Sequence, residues 1–442
     1  MRGSASADWI NVTQAPYFVR PNDSVSCERA IQSAIDTAYS KGGGFVYIPK
    51  GYYLISAKII VKENVSLLGD GELSELRVKD GTSLSNFGPY PRMIELEQKT
   101  SLEKLYFNGN KASSSPPAIW GILAYGPGLG YVQIRNCRVS NFKLAAVVVA
   151  NTEYFTLDNN IISDNDRDAF YGSGNYMTIT NNVIKNNIED YGIAIETNEA
   201  YSAPHHDILI SGNVIENCKV GVGLSQKYDD KTPVGYRYGP TKTVIYNNRI
   251  SNTYENGIFI GDASPNDIPK EYSANGILVD GNILYDCGGC NQLVGAGIVC
   301  SRSYKITISN NTIDRSNSEV HTKWGIIISN SDTISLSNNN VSRAQQHDIF
   351  VINGKFISIV YNTIKDALSA GLYFINSTHV TMIGNNVKSN TTAMMFESGS
   401  NFVIFDNSFS LNKHIIYPAI SWPEFSQPSK STELSLNNYI GN

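Results

Sequence analysis

Tyr176-Met-Thr-Ile-Thr-Asn-Asn182-Val-Ile184 decides the fold, because degenerate copies of it run through the chain. The last Asn of each copy falls at Asn160, Asn182, Asn213, Asn248, Asn282, Asn311, Asn339, Asn362, Asn385 and Asn407. Two residues beyond each stands an apolar side chain: Ile162, Ile184, Ile215, Ile250, Leu284, Ile313, Val341, Ile364, Val387 and Phe409. The units are 22, 31, 35, 34, 29, 28, 23, 23 and 22 residues apart. Cys137 with Val139 marks an earlier unit. Each unit carries short runs of period-2 alternation, such as Thr-Ile-Thr, Asn-Asn-Val-Ile and Gly192-Ile-Ala-Ile195, which read as strands with one face buried. Asn at a fixed turn position tolerates the left-handed conformation, and its amide is able to bond a copy one unit away. A repeat this short with three strands is one coil of a parallel β-solenoid, with coils stacked about 4.8 Å apart. Leucine-rich repeats have similar periods but require a recurring Leu frame that is missing here.

The rest of the chain agrees. Of 442 residues, 41% are apolar, enough for a core, and 26 are Tyr. A net charge of −5 without a basic block argues against nucleic-acid binding. No apolar run is long enough to span a membrane. Residues 1–24 read as a leader and extension, with Met1-Arg2-Gly3-Ser4 excluded from fold reasoning. Residues 25–413 form the solenoid with its cap, and 414–442 a closing segment. The cap is a helix with Ala30, Ile31, Ala34, Ile35 and Ala38 on one stripe, stopped by Gly42-Gly-Gly44. It covers an otherwise exposed sheet edge. The cysteines are Cys27, Cys137, Cys218, Cys287, Cys290 and Cys300, read as isolated core thiols. Cys218 and Cys287 share a column two coils apart, beyond disulfide reach at about 9.6 Å.

The stretch AIQSAIDTAYSKGGGFVYIPKGYYLISAKIIVKENVSLLGDG (residues 30–71), followed by Asn-ladder coils, resembles the pectate-lyase-like superfamily of right-handed single-stranded parallel β-helices. That superfamily includes polysaccharide lyases, glycoside hydrolases, alginate epimerases and phage tailspike depolymerases. The resemblance covers roughly residues 25–410 and implies an all-β fold and an extended polysaccharide along the outer face. It also implies an extracellular setting, secreted or on a phage particle, and a monomer or a homotrimer. The family's DFGAKGDG entry motif is replaced by Arg20-Pro-Asn-Asp-Ser-Val. Leu105-Tyr-Phe-Asn-Gly-Asn-Lys and Asp164-Asn-Asp-Arg-Asp168-Ala-Phe are similar to alginate epimerase modules, and Asp168 matches their catalytic aspartate. Their Tyr-Gly-Phe-Asp-Pro-His run stands here as Leu144-Ala-Ala-Val-Val-Val-Ala, which speaks against that epimerase chemistry.

The three long units place their surplus after the Gly-containing strand: Glu196 to His206, Gln226 to Tyr238, and Asp262 to Tyr272. Such loops on one edge would wall a cleft. They combine acids with aromatics, the chemistry of a sugar site. Glycosidases set two carboxyls about 5–5.5 Å apart for retention and about 6.5–9.5 Å for inversion. Ile193 and Ile195 point inward, so Glu196 points out; Asp168 and Asp262 lie near its column. Glu196 with Asp168 or Asp262 is the expected catalytic pair. Tyr171, His206, Asp229, Asp230, Tyr236, Arg237, Tyr238 and Phe259 are the expected substrate contacts, with Phe350 and Tyr373 extending an aromatic stripe that inter-coil ladders explain equally well. No cofactor is expected; calcium held by Asp164, Asp166 and Asp168 is the metal alternative, without an EF-hand frame.

Glycoside hydrolysis by a carboxylate pair, as in a tailspike-like depolymerase, is the leading reading. A polysaccharide lyase drawing on Lys227, Arg237 and Lys242 is the second. A non-catalytic glycan-binding solenoid is the third. New reducing ends, an unsaturated uronate product, or no turnover separate them.

Overall fold

A computed structural model of the chain describes residues 9–196, 205–225, 239–262, 273–288, 295–316, 322–418, 433–435 and 438–440. The chain divides into two units, Met1–Ala194 and Ile195–Asn442. Each is built from coils of three short strands, one strand per coil in each of three parallel sheets.

In the first unit the coil Gln133–Arg135, Arg138–Ser140, Val147–Glu153 stacks on Thr156–Asp158, Ile161–Ser163, Phe170–Asn175. Register follows the repeat. Val139 pairs with Ile162 and Ile162 with Ile184, all fully buried. Helix Glu28–Ser40 caps this unit with Ile31, Ala34, Ile35 and Ala38 buried, while Ala30 of the expected stripe is only half-buried. Gly43 ends the helix by donating its N–H to Ala38 O at 3.0 Å. It does so at φ +119°, where an added Cβ would lie 2.4 Å from Asn64 O. The segment 9–24, expected as an extension, contributes strand Trp9–Asn11, which pairs with Phe45–Tyr47.

The helix treats the sheet edge as a pairing partner. Gln32 accepts from Ile60 N–H at 2.8 Å and donates to Ile60 O at 3.0 Å, as a neighbouring strand would. Glu28 accepts from Ser56 N–H at 3.2 Å. Gln32→Ala removes both edge bonds, and we expect a loss of about 1–2 kcal/mol. A lower urea midpoint at unchanged slope reads it out; an unchanged midpoint would refute the capping role.

In the second unit the asparagine column forms a continuous buried ladder. Asn213, Asn248, Asn282, Asn311, Asn339, Asn362 and Asn385 each send backbone N–H and Nδ2–H to the next Asn Oδ1, at 2.8–3.1 Å. Asn160 does the same to Asn182 in the first unit. The left-handed conformation expected of these residues belongs instead to the residue before: Asn159, Asn181, Asn247, Asn310 and Asn338, Gly212, Gly281 and Gly384, or Tyr361 and Asp406. One residue turns the chain and the next bonds the coils. Strands Glu433–Ser435 and Asn438–Ile440 continue the stacking past 413, pairing with Val403–Phe405 and Ser408–Ser410. The five described cysteines are buried and not joined in disulfides; Cys290 lies outside the described residues.

Three residues past the apolar position runs a second column, where Asn390 accepts Ala367 N–H at 2.8 Å. Ala367 itself cannot serve Ala344 in that way. The Asp348 carboxyl does so instead, Oδ1 accepting Ala344 N–H at 3.1 Å. Asp348 is fully buried and aligns with Gly325 and Gly371. Burial holds its pKa well above the usual carboxylate value. A raised folded pKa gives stability that is full below the unfolded value and is lost as pH rises through the folded one. We therefore expect Asp348→Asn, which keeps the acceptor, to melt higher than the parent at pH 8, with the gap closing towards pH 4. A gap independent of pH would refute the protonated state.

Candidate functional site

Strand Tyr191–Glu196 buries Ile193 and Ile195 in the core, so its last residue faces outward. Glu196 is nevertheless only 8% exposed. Ser225, one coil on, donates Oγ–H to Glu196 Oε1 at 2.8 Å and so draws the carboxylate along the stacking direction. Ser225 aligns with Gly261, and Gly261 with Ser301. Gly261 has φ +112°, and a Cβ there would lie 1.7 Å from Ser301 O, so only glycine makes this turn. The turn delivers Asp262, 5% exposed. Its N–H donates to Ser301 O at 3.2 Å and its carbonyl accepts Ser301 Oγ–H at 2.7 Å. Glu196 and Asp262 therefore stand at the same strand edge, in coils separated by one intervening coil.

His205, beside the Glu196 backbone, is fully buried, and burial pushes its pKa down to about 4. Its neighbour His206, expected as a substrate contact, is half-buried and pairs with Asp207 at 2.6 Å. Neither Ser225 nor His205 was singled out from sequence as Glu196's neighbour. Their spacing of 29 and 9 residues from Glu196 is set by loops, and no repeat marks it.

In the first unit Asp168 is 8% exposed and accepts Tyr191 N–H on Oδ1 at 3.1 Å, a turn-holding contact. Tyr171 packs with Trp120 on a buried cluster of Leu123, Ala145 and Val148. The acids considered for calcium bond elsewhere: Asn186 donates to Asp164 at 2.9 Å, and Lys111 pairs with Asp166 at 2.8 Å. Among the described residues no group of three or more His, Cys, Asp or Glu is placed to hold a metal ion. Asp229, Asp230, Tyr236, Arg237 and Tyr238 lie outside the described residues. The points from which their loops and the neighbouring ones depart, Glu196, Ser225 and Asp262, share one sheet edge. Phe259 is in the same column as Val299, Ile327, Phe350 and Tyr373, one outer-face stripe of the second unit.

Comparison with known proteins fits this geometry. Residues 120–321 match the model of the right handed beta helix region. The fold of the chain is that of a right-handed parallel β-helix. A second model, periplasmic copper-binding protein (NosD), matches residues 269–442 of this β-helix. The mannuronan C5-epimerase AlgE4 of Azotobacter vinelandii is 34% identical over 117 residues, 24% of this chain and 21% of that protein. The curated relatives are thus matched over 9–21% of their own length. Over the fold, the β-helix is similar to the A-module of AlgE4, with a TM-score of 0.57, 16% identity, and 98% and 100% of the two chains covered. It is also similar to bacteriophage phi29 gene product 12, with a TM-score of 0.69, 15% identity, and 92% and 57% covered. The catalytic domain of a GH87 alpha-1,3-glucanase in complex with nigerose gives a TM-score of 0.57 at 14% identity, with 100% and 69% covered. Among the described residues no helix of this β-helix is long and apolar enough to cross a membrane.

Proposed function

We propose that this protein is an extracellular carbohydrate-active enzyme that cleaves an extended polysaccharide lying along its outer face. Glu196 and Asp262 are the carboxyl pair, and the reaction is glycoside hydrolysis. The observation that carries the proposal is their shared strand edge at next-but-one coils. Two stacking steps separate their coils by about 9.6 Å. Ser225 holds the Glu196 carboxylate over the intervening coil, and a gap of roughly 6.5–9.5 Å would admit a water on the far face of the sugar. The chemistry is then inverting: one carboxyl protonates the departing oxygen while the other activates water. Asp168, already accepting a backbone N–H, serves the fold in this scheme.

The likeness to mannuronan epimerases favours one competing reading, proton abstraction beside a uronate carboxylate followed by epimerisation or elimination. Incubation with a panel of neutral and uronate polysaccharides separates the two. Hydrolysis yields new reducing ends without ultraviolet absorbance from an unsaturated sugar, and the first product has inverted anomeric configuration by NMR. Unsaturated or epimerised product would replace this proposal with the second reading. Sedimentation of the full chain decides between monomer and homotrimer.

A further inference from the structure

In the second unit Ser301, Ser329, Ile352 and Ile375 pair in register at the end of one sheet. The residues that follow them, Arg302, Asn330, Asn353 and Asn376, all turn the chain in the left-handed region, at φ +46°, +49°, +52° and +45°. Arg302, Asn330 and Asn353 each donate a backbone N–H to the next coil in the same way, at 2.9–3.0 Å. The three asparagines are exposed and bonded in file. Asn353 Nδ2 donates to Asn330 Oδ1 at 2.8 Å, and Asn376 Nδ2 to Asn353 Oδ1 at 2.9 Å. Asn suits this column because it enters the left-handed region at little cost and its amide serves the copies on either side.

Arg302 breaks the pattern. A long side chain is less favoured there than Asn, and among the described residues its guanidinium joins neither the ladder nor any carboxylate. The residue is half-buried. Its Nε is enclosed without an acceptor, while its two terminal nitrogens, equally without a protein partner, reach the surface. A cation drawn partly out of water ordinarily acquires a counter-charge. The coil where the pattern breaks is the one after Asp262. Gly261 pairs with Ser301, and Ser301 donates its Oγ–H to the Asp262 carbonyl at 2.7 Å. The coil of Arg302 thus lies one stacking step, about 4.8 Å, along the edge from that of Asp262. A local rule broken beside a site is where function is expected to outweigh local preference.

We infer that Arg302 takes a carboxylate of the bound glycan, which makes the substrate of this edge an acidic, uronate-containing polysaccharide. This rests on the polysaccharide reading above and names its substrate class. The terminal nitrogens of a guanidinium form a planar fork that meets a carboxylate with charge-assisted hydrogen bonds. One positive charge answers the single negative charge of a uronate; a neutral glycan would leave it uncompensated. The acids at Glu196 and Asp262 would by themselves repel an anionic chain, and Arg302 offsets that repulsion on the Asp262 side of the pair. The exposed amides of Asn330, Asn353 and Asn376 continue the same line with hydrogen-bonding groups for its hydroxyls.

Calorimetric titration of the full chain with oligomannuronate and oligogalacturonate, each beside its carboxyl-reduced neutral counterpart, tests the assignment. The parent is expected to bind at least one oligouronate about tenfold tighter than its reduced form, the worth of one charge-assisted pair. Arg302→Gln should erase that difference. Arg302→Lys, which keeps the charge without the fork, should retain only part of it. The melting temperature should hold in both variants, because the side chain has no protein partner to lose. Equal affinity of the parent for acidic and reduced forms overturns the inference, as does binding of neutral glycans alone or a preference that survives in Arg302→Gln. Cleavage of the reduced glycans would in each case leave the reaction at Glu196 and Asp262 standing. A parent that neither binds nor cleaves any glycan overturns both readings.

Discussion

Asn311→Leu is expected to unfold the second unit at temperatures the parent withstands, the largest stability loss of any single replacement in the ladder region. The size does not match Leu and Asn poorly; the two side chains are close in volume. The loss is in pairing. Asn311 Oδ1 accepts both Asn282 N–H and Asn282 Nδ2–H, at 2.9 and 3.0 Å. Its Nδ2 donates to the Val279 carbonyl at 2.9 Å, the Ser309 carbonyl at 2.8 Å and Asn339 Oδ1 at 3.0 Å. Asn311 is 1% exposed, so water does not replace it. Each buried group left unpaired costs about 1–3 kcal/mol. With at least two such groups the expected loss is about 3–5 kcal/mol, a large part of the roughly 5–15 kcal/mol that holds a domain together.

The neighbour supplies the control. Asn310 takes the left-handed turn at φ +55° and bonds the half-buried Asp280 carboxylate. Asn310→Gly keeps the turn, and a change within about 1 kcal/mol is expected. Chemical denaturation of the two variants reads the difference directly; equal losses would show that the ladder contributes no more than the turn.

The same pair of residues shows what the sequence made legible and what it did not. A position that must bond an identical copy above and below admits one side-chain type, so the buried Asn repeats without interruption and exposes the coil period. The residue before it needs only a left-handed backbone, which Asn, Gly, Asp and Tyr all provide here. Its duty therefore leaves no clean column and is absorbed into that of its neighbour. The capping helix was legible from its apolar stripe, but Gln32's pairing with Ile60 was not, because it joins elements 28 residues apart with no pattern between them. At the site, Glu196 and Asp262 were reachable because each follows a strand whose inward residues are obvious. Ser225 and His205 were not: their approach to Glu196 depends on how inserted loops return to the sheet. Arg302 and Asn330 share a column only once unequal coils have been brought into register, and the spacing of 28 residues between them identifies neither as a neighbour of the other.

Glu196→Gln and Asp262→Asn should each lower kcat by about 10²–10⁴-fold with little change in KM, the loss typical of removing a positioned proton donor or acceptor. The amide at 196 still offers a carbonyl oxygen to Ser225 Oγ–H, so the side chain stays where it is and the fold is undisturbed. Asp262 is fixed through its backbone, by Ser301 on both its N–H and its carbonyl, and an amide there leaves both contacts in place. What changes is the capacity to exchange a proton. Because the two carboxyls serve one displacement, the double variant should be scarcely slower than the worse single variant. Losses that multiply would mean the two act in separate steps. Asp168→Asn provides the contrast: its amide oxygen still accepts Tyr191 N–H, so turnover should stay within a few-fold of the parent. Full activity in Glu196→Gln would move the chemistry away from this edge. Loss of activity in Asp168→Asn alone would place it in the first unit, where the resemblance to the epimerase modules lies.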